Sequence, residues 1–176
     1  LITGIIAASI SEQRIDLRHL KQKLLKGVIN NFNNDGPSEN GSLMYSPYVM
    51  NTVGLIYLSF SQKELSQKTF NTAKELFMNA LSYKNQIMQN VHLGCIYKNL
   101  AQLYELALKQ DLGGYWLLFR EAITNYRTAQ RYLDHYNYPY DFALISFKLS
   151  QLYFQYWKFS NDIQALRDAV YFPREA

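Results

Sequence analysis

An all-α protein built of antiparallel helix pairs is the fold class that three features of this 176-residue sequence predict. Gly (8) and Pro (4) are too few for the many tight turns of an all-β chain. Apolar residues recur at spacings of three and four, the period of an amphipathic helix. A short stamp also returns three times: Val53-Gly54-Leu55-Ile56-Tyr57, Leu100-Ala101-Gln102-Leu103-Tyr104 and Leu149-Ser150-Gln151-Leu152-Tyr153. Its tyrosines lie 47 and 49 residues apart, and self-similarity at such a period marks a stacked helical repeat. With 48% hydrophobic and 18% charged residues the composition is that of a globular chain long enough to bury a core.

The elements follow in chain order. The apolar start, Leu1 to Ala8, is short and lacks a basic leader, so it reads as a packed segment of a longer protein. Ser9 and Glu12 form a capping box for a helix over 12–31, so residues 1–32 are expected to be an N-terminal helical segment. On that helix Leu17, Leu20, Leu24 and Val28 make an apolar stripe, and the basic run Arg14, Arg18, His19, Lys21, Lys23 and Lys26 reads as its wet side. Residues 33–46 are a loop or linker, with Asn34-Asp35-Gly36-Pro37 as the helix stop.

Residues 47–173 read as about three helix pairs. Ser46 caps the first helix, with Pro47 in its first turn, where a missing N–H costs nothing. Its return helix runs from about Ser66 to Tyr83, with Phe70, Ala73, Phe77, Ala80 and Leu81 on one face. The second pair starts near Gln89, breaks at Gly113-Gly114 and resumes over 115–134. There Ala122, Tyr126 and Ala129 each follow Ala73, Phe77 and Ala80 by 49 residues, so the return helices repeat as well. Pro139-Tyr140-Asp141 opens the third pair, and Ser160-Asn161-Asp162 caps a short last helix over 163–170 that Pro173 stops. Small residues at Gly54, Ala101 and Ser150 allow close helix approach, and the tyrosines fill the space beside them.

The order of small residue, Tyr, Ala, aromatic and Ala resembles the tetratricopeptide repeat, W-x2-L-G-x2-Y…A-x3-F…P. Val53, Gly54, Tyr57, Ala73, Phe77 and Ala80 carry it in the first unit. Leu100, Ala101, Tyr104, Ala122, Tyr126 and Ala129 carry it in the second, and Leu149, Ser150 and Tyr153 begin the third. Tyr138-Pro139-Tyr140-Asp141-Phe142-Ala143-Leu144, followed by the Leu149 to Tyr153 stamp, resembles the F-P-x-D-W-A-M-x4-L-G-x2-Y junction of long-period arrays in cyanobacteria, with Phe142 for Trp and Ser150 for Gly. The resemblance implies helix pairs stacked as a TPR-like right-handed solenoid, with units longer than the family period of about 34.

In that family the first helix of each pair lines the concave face. Carried over by register, this face comprises Tyr48, Asn51 and Leu55, then Lys98, Gln102 and Glu105, then Leu144, Phe147, Gln151 and Phe154. The resemblance implies a non-enzymatic scaffold that binds a partner peptide or helix on this strip. The alternative is a regulatory helical domain that binds a small peptide and controls an attached effector domain. Chaperone-binding members clamp a C-terminal carboxylate; Asn99 and Lys148 match two clamp positions, but Asn51, Leu55 and Leu144 stand where Lys, Asn and Lys are expected. The sequence therefore argues against that ligand.

Other chemistries find little support. Net charge of +4 is modest, which argues against a nucleic-acid partner, although Lys98, Arg120, Arg127 and Arg131 with the many tyrosines outline an RNA-binding alternative. His19, His92 and His135 lie far apart without metal-ligand spacing, and no carboxylate pair stands out for acid–base work, so neither cofactor nor metal is expected. The single cysteine, Cys95, excludes an intrachain disulfide, reads as packing and suits a reducing, cytoplasmic setting. No apolar run reaches the length of a membrane span.

Overall fold

The computed structural model describes residues 46–60, 65–86 and 89–172. The chain divides into two units, Leu1–Met44 and Tyr45–Ala176, and every described residue belongs to the second. The helix expected over 12–31, all of the 33–46 loop but Ser46, and Pro173 lie outside the described residues. Among the described residues the structure is all-helical: α1 (Pro47–Phe60), α2 (Gln67–Ser82), α3 (Asn90–Lys109), α4 (Tyr115–Tyr132), α5 (Pro139–Ser160) and α6 (Ile163–Tyr171), with a 3-10 turn at Lys84–Gln86.

Local chemistry sets the ends of these helices. The Ser66 hydroxyl accepts from the Thr69 amide at 3.2 Å to start α2, a cap of the kind that contributes about 1 kcal/mol. Asp162 does the same for α6, accepting from the Gln164 amide at 2.9 Å. Pro139 occupies the first turn of α5. α3 ends in a Schellman turn, with Leu112 N–H donating to the Ala107 carbonyl at 3.1 Å and Asp111 to Leu108 at 3.3 Å. The left-handed residue of that turn is Asp111, at φ 50°, so the helix stops before the Gly113-Gly114 pair the sequence marked as its break. Those glycines, also at positive φ, then redirect the chain into α4.

Consecutive helices pack, most closely within the pairs α1–α2, α3–α4 and α5–α6. Their directions follow from side-chain partners. Gly94 and Tyr97 near the start of α3 meet Leu133 and Tyr132 at the end of α4, whereas Glu105 farther along α3 meets Tyr126. Those two helices are therefore antiparallel. Gln130 bonds Ser146, and Phe119 stacks on Tyr156, so α4 and α5 are antiparallel too. α3 and α5 consequently run parallel.

The core holds Phe77, Ile96, Leu100, Leu103, Tyr126, Leu133, Ile145, Leu149 and Leu152, all below 3% exposure. Tyr57, Tyr104 and Tyr153 are buried with them, so the repeated tyrosines are packing residues. A Cβ at Gly54 would lie 2.6 Å from the Phe77 ring, which explains the small residue there. Gly94 fills the same need elsewhere: a Cβ would meet Leu133 Cγ at 2.5 Å. An interior helical Gly costs about 1 kcal/mol relative to Ala, and close approach of α3 and α4 is the compensation.

Candidate functional site

The first helices of the pairs, α1, α3 and α5, are joined by polar ties. Asn99 Nδ2 of α3 donates to Asn51 Oδ1 of α1 at 2.9 Å. Lys98 Nζ of α3 donates to Asp141 Oδ1 of α5 at 2.6 Å, and Lys148 Nζ of α5 donates to Glu105 Oε1 of α3 at 3.0 Å. Each of the last two bonds spans 43 residues, which fixes the register of α5 on α3.

Glu105 is the centre of this arrangement. It is 7% exposed, yet it accepts from Lys109 at 2.6 Å, from Lys148 at 3.0 Å and from the buried Tyr126 hydroxyl at 2.8 Å. Burial opposes its charge, but the hydrogen bonds from Lys109 and Tyr126 and the Lys148 ammonium outweigh it and hold the carboxyl below its ordinary range. Burial and the adjacent carboxylate push the Tyr126 phenol far up, so it remains a donor. This is a satisfied internal network that occupies both oxygens of the Glu105 carboxylate.

The predicted strip is thus of two kinds. Glu105 is a buried internal tie, its oxygens serving Lys109, Lys148 and Tyr126. Asn51 and Lys98, both half-buried, have side-chain partners in Asn99 and Asp141. Leu55, Gln102 and Leu144 are also half-buried. Tyr48 is exposed and packs edge-on against His92, with centroids 4.8 Å apart. Phe147, Gln151 and Phe154 are exposed on α5. Glu105, Gln151 and Phe154, with Lys109 and Lys158, line a cleft of about 290 Å³ between α3 and α5. The clamp positions fare alike: Asn99 and Lys148 both serve neighbouring helices.

Sequence reasoning missed a larger groove on the opposite side. It has a volume of about 840 Å³ and lies between α2 and α4, floored by Tyr97, Leu100 and Tyr104 of α3. Met78 and Leu117 are exposed at its edges, with Lys74, Lys84 and Glu121 among its polar lining. Met78 beside Phe77 and Leu117 beside Leu118 were the available signals, since each puts an apolar residue off the packing stripe.

Five rings also cluster where α4 begins and α5 ends. Tyr115 meets Phe159 at 5.3 Å, Trp116 meets Tyr156 at 5.3 Å, and Phe119 stacks on Tyr156 at 5.1 Å. The basic residues of the RNA-binding alternative are dispersed: Lys98 serves Asp141, and Arg127 lies over the Tyr153 and Phe172 rings. Burial pushes the Cys95 thiol up. Among the described residues no three His, Cys, Asp or Glu side chains form a group able to hold a metal ion, and no helix is long and apolar enough to cross a membrane. Comparison with protein families, curated proteins and solved structures finds no match to this chain.

Proposed function

We propose that this chain is a non-enzymatic, tetratricopeptide-like scaffold whose pairs stack as a right-handed solenoid and whose first-helix face binds a partner peptide or helix. One observation carries the reading. The parallel helices α3 and α5 are locked in register by Lys98–Asp141 and Glu105–Lys148, and α5 exposes Phe147, Gln151 and Phe154 along one edge of that rigid platform. Exposed aromatic side chains on a preorganised helical surface are the usual anchors for a docked helix or extended peptide.

The test needs no known partner. A random peptide library is selected on the folded chain, and binders are counter-screened on Phe147→Glu. The expected binders form helices with apolar residues at i, i+3 or i+4, and i+7, and lose binding on the variant. Enrichment indifferent to Phe147→Glu, in a variant with wild-type helicity, overturns the proposal.

A further inference from the structure

The exposed edge of α5 is longer than the predicted strip and has a regular spacing. Tyr140, Leu144, Phe147, Gln151, Phe154 and Lys158 follow one another by four, three, four, three and four residues, the seam spacing of a two-helix coiled coil. Tyr140, Phe147 and Phe154 are 79%, 54% and 41% exposed, whereas Ile145, Leu149 and Leu152 on the opposite side are at most 2% exposed. The seam therefore lies on the exposed side of α5, with Leu144 half-buried and Gln151, Phe154 and Lys158 bordering the cleft to α3.

Repeat register gives this edge a counterpart on α3. Phe147 and Phe154 stand 49 residues after Lys98 and Glu105, the offset that relates Tyr104 to Tyr153. On α3 those two positions grip the next parallel helix through Asp141 and Lys148. On α5 the same positions are aromatic and exposed. The positions that are polar and occupied on α3 are thus apolar and exposed on α5.

The seam is also self-complementary when reversed. If two copies of α5 run antiparallel, Leu144 of each faces Phe154 of the other, and Phe147 faces Gln151. At both ends Lys158 meets Tyr140, a cation-to-ring pairing already favoured within the chain, where Lys158 Nζ lies 4.7 Å from the Phe154 ring centre. Asp141 and Lys148, which flank the seam, are neutralised by Lys98 and Glu105, so the copies approach without facing unpaired like charges there.

From this we infer that the occupant of the α5 edge is α5 of a second copy of this chain, in an antiparallel two-fold dimer. The inference rests on the reading of the first-helix face as a binding surface and names its partner. Such an interface is isologous and closes on itself, so assembly stops at two.

Sedimentation of the full chain across a wide concentration range tests it. The expected mass rises to twice the 20.6 kDa of one chain, and the Phe147→Glu, Phe154→Glu variant stays at one with unchanged helicity. Cross-linking tests the register independently. With Cys95→Ser as background, Leu144→Cys mixed with Phe154→Cys forms a disulfide-bridged pair under oxidation. Neither variant alone does so, because its two thiols lie about 15 Å apart along the seam. A single-chain mass at every concentration, or equal bridging in the unmixed samples, overturns the dimer. If the chain is monomeric and Phe147→Glu still abolishes peptide capture, the binding face survives without a second copy. If capture is also indifferent, both readings fall.

Discussion

Replacing Glu105 with Ala removes one acceptor from three donors at once. The Tyr126 hydroxyl, on a side chain with 0% exposure, loses its hydrogen-bond partner, a loss of about 1–3 kcal/mol for a buried group. Lys148, 24% exposed, loses its pair and keeps much of its desolvation cost, whereas Lys109, 55% exposed, adds little. The total comes to about 3–4 kcal/mol, within the range for breaking one side of a buried ion pair. At about 2–4 °C per kcal/mol for a chain of this size, Tm falls by about 6–16 °C in thermal unfolding followed by circular dichroism. Glu105→Gln keeps an acceptor for Tyr126 and should lose only about 1–2 kcal/mol. The pH dependence has a fixed sign. The folded carboxyl titrates below the ordinary 4.5, so its stabilisation is complete above that value and is lost as pH falls through the folded-state value. Glu105→Gln removes this contribution and flattens acid unfolding. A Glu105→Ala chain within about 0.5 kcal/mol of wild type in urea unfolding would refute the network as a stabilising element.

Further outcomes follow from the packing. Gly94→Ala pushes a methyl into Leu133 and should destabilise by about 1–3 kcal/mol, read as a lower urea midpoint. Tyr104→Ala empties a buried site against Phe70 and should cost about 3–5 kcal/mol; a melt identical to wild type contradicts this packing. Asp111→Gly relieves a left-handed residue and should raise stability by about 0.5–1 kcal/mol. Cys95 should react more slowly with a disulfide reagent in the folded chain than in urea, because burial disfavours its thiolate.

Most helix boundaries were legible because short-range chemistry sets them. Ser66, Pro139 and Asp162 act on amides or turns within a few residues, and each is visible as a local motif. Gly54 was readable because the stamp repeats around it. Gly94 was not, since it falls outside the stamp; the available signal was the cost of a glycine inside a helix, here in the second turn of α3. The end of α3 was placed too late because Asp111, not a glycine, takes the left-handed turn. The polar ties were beyond sequence reasoning. Lys98–Asp141 and Glu105–Lys148 join residues 43 apart, whereas the tyrosine stamps repeat at 47 and 49, so repeat length alone does not predict which side chains meet. The charges of Lys98 and Glu105, two residues of the predicted strip, hold α3 to α5.

The central claim is that partners engage the edge of α5 and not the groove between α2 and α4. Peptide capture by Phe147→Glu, Phe154→Glu, compared with capture by Met78→Glu, Leu117→Glu, tests it most directly. All four residues are exposed, so both variants should fold. The account predicts that capture is lost in the first and kept in the second. Capture kept in the first and lost in the second would contradict it and move the binding surface to the opposite side of the helices.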